Sequence, residues 1–231
     1  MCGGLAVSLG LLPDHVLLND INPHAINFYR WLKKGLVTTL TMENDRTVFD
    51  HHRRRFNQLI TNGGADSQEA AALFYYLNRT CFNGLCRFNN KGEFNVPFGK
   101  YKRITYTRDF TPYKSTFKSW ELTCGDFRAI RLRKTDFVYA DPPYDVEFTK
   151  YSKEDFKWDD QVRLAEWLAK HKGPVVVSNQ ATERIVNLYE KLGFEIRRLK
   201  APRRISCDGD RTFALEVLAM KNLRTRTKGV S

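Results

Sequence analysis

Cysteine is scarce in this chain and poorly placed for bonding. The five residues, Cys2, Cys81, Cys86, Cys124 and Cys207, are odd in number and scattered. That pattern predicts free thiols in a reducing cytoplasm rather than a disulfide framework or a zinc site. His51-His52 has no spaced ligand partner, so no metal is expected. No apolar run approaches the roughly 20 residues of a membrane span. No basic-then-apolar leader precedes a small-residue cleavage site either, which points away from membrane and export. Acidic residues are also in deficit. Aspartate and glutamate number 26 against 38 lysines and arginines, leaving a formal charge of +12.

Such an excess calls for a polyanionic partner, most simply nucleic acid. The charge is clustered: Arg53-Arg54-Arg55, Lys100 with Lys102-Arg103, Arg197-Arg198, Arg203-Arg204 and the tail from Lys221 to Lys228 alternate with aromatic or apolar segments. The length of 231 residues suffices for one α/β domain with a small inserted subdomain. Cys2-Gly3-Gly4 arrives with no strand ahead of it. His15–Leu18 reads as a short strand ending in Asn19-Asp20. Asn22 caps a helix with Pro23 at its first position, running through Lys34. Residues 43–60 look helical, and Asp66 or Ser67 caps a strong helix to about Arg79. Residues 81–103 carry turn chemistry at Asn90-Lys91-Gly92 between two short aromatic arms, which predicts a β-hairpin or a compact loop.

A strand is expected near Phe117–Thr123, then Gly125-Asp126-Phe127, then a buried strand over Phe137–Ala140. A helix over Asp159–His171, a strand over Pro174–Ser178, a helix over Glu183–Leu192 and strands over Phe194–Leu199 and Thr212–Met220 complete the chain. This alternation predicts a largely parallel α/β sheet, with ligands beyond the strands' carboxyl ends. Asp20, Asp126, Asp141 and Asn179 would then share one rim.

Asp141-Pro142-Pro143-Tyr144 follows the apolar run 137–140. Two prolines remove two backbone donors and stiffen the loop beyond the strand. The loop offers a carboxylate, carbonyl oxygens and an aromatic ring, the set that an amino group on a flat heterocycle requires. Asp20 could accept hydrogen bonds from two ribose hydroxyls, or serve as an acid favoured by a helix start. Gly3 and Gly4 would let a ligand approach the backbone. Asp126 and Phe127 could pair with and pack on a purine edge, or form a plain turn.

Asp-Pro-Pro-Tyr, the upstream Gly-Gly and Asn-Asp, and Phe-Asn-Gly-Leu-Cys-Arg with Gly-Glu-Phe-Asn-Val-Pro-Phe-Gly together resemble the D12 class of adenine-N6 DNA methyltransferases. The likeness is greatest to the Dam group, which methylates adenine in GATC. It covers most of the chain and is densest from about Leu77 to Lys102. The resemblance implies a Rossmann-like, S-adenosylmethionine-dependent methyltransferase sheet. Residues 1–40 and 115–220 would form the catalytic domain, 41–114 an inserted helical and β-hairpin recognition region, and 221–231 a flexible basic tail. It implies a cytoplasmic enzyme acting on double-stranded DNA, with a flipped adenine. Asp141 and the Pro142 carbonyl would accept from N6, Pro143 would stiffen the loop, and Tyr144 would stack on the base. Gly3, Gly4, Asp20, Asp126 and Phe127 would hold the cofactor, and Asp141 would border it.

In the recognition segment, Arg87 matches the position reading a guanine edge. Phe82 matches a wedge into the base stack, and Asn83, Leu85, Asn95 and Pro97 match neighbouring base contacts. Phe88 and Phe94 read instead as a small apolar core. Lys100, Lys102 and Arg103 read as phosphate contacts. Phe148 and Tyr151 fall at an aromatic pair of the family, and Ser206 and Arg211 in a loop able to approach DNA. The family opens with Trp-x-Gly-Gly-Lys and a strand ending in Glu-Pro-Phe, neither of which precedes Gly3 here. A weakened methyl-donor site is therefore an expectation, and a DNA-binding remnant without catalysis is the alternative.

Overall fold

The computed structural model describes residues 2–145, 156–202 and 213–223. The chain divides into two compact units, one spanning Gly3–Gly125 and the other taking up the chain from Asp126. The first unit contains α1 (Ala6–Leu11), β1 (Leu17–Asp20), α2 (Pro23–Lys34), α3 (Arg46–Thr61), α4 (Gln68–Thr80), α5 (Lys114–Phe117) and β2 (Glu121–Cys124). The second contains β3 (Val138–Ala140), α6 (Trp158–Ala169), β4 (Val175–Gln180), α7 (Glu183–Lys191), β5 (Glu195–Pro202) and β6 (Phe213–Lys221).

Side-chain caps start α2, α3 and α4, those of α2 and α4 as the residues predict. Asn22 Oδ1 accepts from the backbone N–H of His24 at 2.9 Å and of Ala25 at 3.3 Å, with Pro23 at the first helical position. Of the two candidates for α4, Ser67 is the cap, accepting from Ala70 N at 3.1 Å. Asp45 does the same for α3. The sequence reading misses α1 entirely. That helix has no side-chain cap and lies between two left-handed leucines, Leu5 (φ 59°) and Leu12 (φ 44°), so nothing in its composition marks its ends. The expected strand at 117–123 shortens, because Lys114–Phe117 is helical and β2 begins only at Glu121. Phe117 and Trp120 are fully buried, their rings 4.8 Å apart.

The expectation of one largely parallel sheet is corrected to a two-stranded parallel sheet and a four-stranded mixed one. β1 and β2 pair in parallel, with Asp20 opposite Cys124. The other sheet has the order β3-β4-β6-β5, parallel only between β3 and β4 and antiparallel elsewhere. Strand–helix alternation misleads here because β5 and β6 have no helix predicted between them. A strand pair without a crossover helix is free to run antiparallel. β6 inserts between β4 and β5, and Val175, Val177, Val217 and Ala219 bury their side chains in one core with Leu164, Leu168 and Ile185. The first unit has its own core, where Phe49, Phe56, Leu73, Tyr76 and Leu77 of the helices enclose Phe94 and Val96. Burying each large apolar side chain contributes about 1.5–3 kcal/mol, so Phe94 and Val96 fasten the segment beyond α4 to the helices.

Candidate active site

The loop Asp141–Tyr144 leaves the end of β3 and is tied down residue by residue. Ser178 Oγ of β4 donates to Asp141 Oδ1 at 2.7 Å, and Tyr139 Oη donates to Ser178 Oγ at 3.2 Å. Asp141 is exposed, so its carboxylate is oriented from within while facing outward. Pro142 is buried and Pro143 exposed. Gln161 Nε2 of α6 donates to the Pro143 carbonyl at 2.7 Å. Tyr144 is half-buried, and its hydroxyl donates to Glu216 Oε2 of β6 at 3.3 Å. Burial, with the nearby Asp141 and Glu216 carboxylates, holds the Tyr144 hydroxyl protonated far above its ordinary range. Burial raises Tyr139 in the same direction.

Asn179 does not stand on a ligand-facing rim, and that expectation is corrected. It lies within β4, 0% exposed, with protein partners all round. Its Oδ1 accepts from Asp145 N at 2.9 Å, and its Nδ2 donates to Gln161 Oε1 at 3.0 Å and Tyr189 Oη at 3.3 Å. The β4 ladder continues through Gln180, opposite Glu216, and carries Asn179 inward.

Asp20 ends β1 in the first unit, and its Oδ1 accepts from Asn22 N at 2.9 Å. Gly125 N donates to the Asp20 carbonyl at 3.0 Å, and Asn19 Nδ2 donates to the Gly125 carbonyl at 2.9 Å. Gly125 has φ 145°, a conformation that L-residues rarely adopt. Gly3 (φ 44°) and Gly4 are exposed, and the Gly3 carbonyl accepts from Tyr29 Oη. A Cβ placed on Gly4 would meet nothing within 4 Å. Asp126 lies in the second unit, where its side chain caps a short turn by accepting from Arg128 N at 2.8 Å and binds Arg163 Nη1 at 2.9 Å. The Arg128 backbone N–H, with the two guanidinium groups, holds this carboxyl below the usual range. Phe127 is buried beside Trp167 with the Arg163 guanidinium 5.1 Å from its ring centre.

Residues 81–103 take the second of the two predicted forms, a compact loop rather than a continuous hairpin. The arms meet through isolated antiparallel bridges at Phe88–Phe94 and Cys81–Phe98. Asn89 makes the turn, its Oδ1 accepting from Lys91 N at 2.9 Å and Glu93 N at 3.0 Å. Phe94 and Val96 point inward, so Asn95 and Pro97 point outward on the alternating pleat. Arg87 lies opposite Asn95, with Nε donating to Asn95 Oδ1 at 2.9 Å. Phe82 is 38% exposed and follows a helix end rather than entering the core. Asn83 (φ 52°) and Gly84 (φ 64°) turn the chain there. Leu85 is half-buried against the core and takes a smaller share of the outer surface. Lys100, Lys102 and Arg103 are exposed. Gly99 is required by proximity: a Cβ there would stand 2.6 Å from the Cys81 carbonyl. His24 of α2 stacks on Phe88 at 4.9 Å, and Asn22 Nδ2 donates to Cys86 Sγ at 3.2 Å, so the segment leans on the helix that follows Asp20.

Phe148, Tyr151, Ser206, Arg211 and the tail beyond residue 223 lie outside the described residues. The sequence reading missed Ser178, Gln161, Glu216, Asp145 and Arg184, all of which touch the loop or extend its network. Only Ser178-Asn179 at the end of an apolar run carried a signal. Gln161, Arg184 and Glu216 are polar residues on helices and a strand, and Asp145 ends the loop, places where solvent is the ordinary expectation.

An exposed acid at a strand end is followed by two prolines and a clamped tyrosine, and in the other unit Phe82, Arg87, Asn95 and Pro97 are exposed. The chain belongs to the D12 class N6 adenine-specific DNA methyltransferase family, whose sequence model matches residues 2–205. It is 36% identical over 238 residues to the DNA N-6-adenine-methyltransferase of Escherichia phage P1, covering 94% of this chain and 31% of that protein. It is 34% identical to the type II methyltransferase M.MjaIII of Methanocaldococcus jannaschii, covering 90% of this chain and 81% of that one. The DNA adenine methylase of Vibrio cholerae is 35% identical, with 90% and 80% covered. The chain thus spans under a third of the phage protein and about four fifths of the other two. Among the described residues no helix is long and apolar enough to cross a membrane, and no cluster of potential metal ligands occurs.

Proposed function

We propose that this protein transfers a methyl group to N6 of adenine in duplex DNA, within GATC or a related site containing GAT, in the cytoplasm. The observation that carries the reading is the Asp141 carboxylate, exposed at the end of β3, with one oxygen aligned by Ser178 and a donor-free Pro142 beside it. Asp141 and the Pro142 carbonyl accept from the adenine amino group and leave the nitrogen lone pair directed away from the base plane. The Pro143 carbonyl already accepts from Gln161. Tyr144 presents its ring to the flipped base while Glu216 holds its hydroxyl. Orientation and electrostatic stabilisation then carry the reaction, and no covalent enzyme intermediate is needed.

S-adenosylmethionine would supply an electrophilic sulfonium methyl. In this reading Asp20 would take the ribose hydroxyls, Gly3 and Gly4 would let the ligand approach the backbone, and Asp126 with Phe127 would take the purine. The Rossmann-like methyltransferase sheet belongs to this reading, as does the division into a catalytic domain and an inserted 41–114 recognition region. Arg87 would read guanine, Phe82 would enter the stack, and Asn83, Leu85, Asn95 and Pro97 would touch adjacent bases. Lys100, Lys102 and Arg103 would hold phosphates.

Transfer of labelled methyl from S-adenosylmethionine to a GATC duplex tests the proposal. Asp141→Ala should lower transfer by about 100-fold or more while leaving DNA binding intact. DNA binding with no transfer by the unaltered chain would overturn the enzyme reading. Methylation-sensitive digestion of DNA from expressing cells would expose a different target site.

A further inference from the structure

Tyr144 is bracketed by two backbone groups that are bonded to one connected pair of buried amides. The Pro143 carbonyl before it accepts from Gln161 Nε2 at 2.7 Å. The Asp145 N–H after it donates to Asn179 Oδ1 at 2.9 Å. The two amides join each other, Asn179 Nδ2 donating to Gln161 Oε1 at 3.0 Å. Gln161 is 3% and Asn179 0% exposed, so neither amide exchanges its partners for water. The polarity of this chain is forced. A proline carbonyl can only accept and a backbone N–H can only donate, so each amide has one permitted orientation. Asn179 is fixed further by its bond to Tyr189 Oη at 3.3 Å.

We propose that Gln161 and Asn179 are positioning residues for methyl transfer, a clamp that sets the backbone of Tyr144 and thereby the plane of its ring against the flipped base. The inference rests on the proposed adenine methylation and extends it to two residues that touch neither base nor cofactor. Asp145 anchors the far end, its carboxylate accepting from Thr182 Oγ1 at 2.8 Å and Arg184 Nε at 2.7 Å. Three elements, α6, β4 and α7 with its cap, therefore converge on the loop, and an error of about 1 Å in a reacting group can cost on the order of 100-fold in rate.

Gln161→Glu and Gln161→Met test the clamp in the full chain. The first keeps the acceptor for Asn179 and loses the donor to Pro143. The second loses both. Each should bind the GATC duplex with unchanged affinity and KM, while kcat falls by about tenfold or more. Amide hydrogen exchange supplies a readout independent of activity. In Gln161→Met the Asp145 N–H should exchange about tenfold faster relative to the α6 amides, which report the global stability lost with the two hydrogen bonds. Turnover in both variants equal to that of an active parent, or an unmoved Asp145 amide, would overturn the clamp. If the parent chain transfers no methyl group, the methylation reading fails by itself, and the exchange measurement still decides whether the clamp holds Tyr144.

Discussion

Arg184→Met should destabilise the second unit by about 2 kcal/mol, a figure that follows from the burial of its partner. The Asp145 side chain is 6% exposed and the Arg184 side chain 48%. Arg184 meets both carboxylate oxygens, and Thr182 supplies a further donor. Removing one member of a fully buried pair costs about 3–5 kcal/mol, because the other charge is left without its counterion. Arg184 is half in solvent, so screening reduces that range. Thr182 and the Asn179-bound backbone remain in place. The guanidinium also stands 4.7 Å from the Trp158 ring centre, a contact that contributes about 0.5 kcal/mol at an exposed position. The sum of about 2 kcal/mol corresponds to a fall in melting temperature of about 4–8 °C for a chain of this size. Urea unfolding followed by circular dichroism measures it. Arg184→Lys should recover only part of the loss, since an ammonium cannot reproduce the two-pronged contact. A loss within about 0.5 kcal/mol for Arg184→Met, the range of an ordinary surface substitution, would refute the view that this pair anchors the loop.

Arg87→Ala should relax discrimination at one guanine by about 1–3 kcal/mol, read as the ratio of transfer rates on GATC and singly altered duplexes. An unchanged ratio would remove Arg87 from base reading. Asn57→Ala should loosen the recognition segment, since Asn57 donates to the Phe94 carbonyl at 3.1 Å and accepts from Phe94 N at 2.8 Å. A cost of about 1–3 kcal/mol is expected from the buried N–H left without a partner, and unfolding indistinguishable from the parent would contradict it. Burial lowers the pKa of both His24 and His52. The unfolded chain therefore binds protons more readily, so this stability is complete above about pH 6.5 and is lost as pH falls through the lower folded values. His24→Phe with His52→Gln should flatten the first unit's stability below about pH 6.5. A slope unchanged from the parent would place the acid sensitivity elsewhere.

What could be read from the residues, and what could not, divides along a physical line. Asn22, Ser67 and Asp141-Pro142-Pro143-Tyr144 act through local chemistry. A cap bonds to N–H groups two or three positions ahead, and a proline pair restricts its own backbone, so neighbours in sequence suffice to reveal them. The exposure of Phe82, Arg87, Asn95 and Pro97 follows from the family resemblance rather than from local chemistry, and the structure adds Val96 to the expected core position Phe94. Asn179 could not be read locally. Its polar side chain at the end of an apolar run suggested a rim, yet its meaning depends on Gln161, 18 residues away, and on Asp145, 34 residues away. Glu216 is farther still, 72 residues from the tyrosine it holds. It reaches Tyr144 because β6 runs antiparallel between β4 and β5, the feature that strand–helix alternation concealed. The same error in sheet direction thus hid both the topology and the hydroxyl's partner. A parallel β6 would not set Glu216 opposite Gln180 in this register, and the aromatic ring of the loop would lose the carboxylate that fixes its outer end.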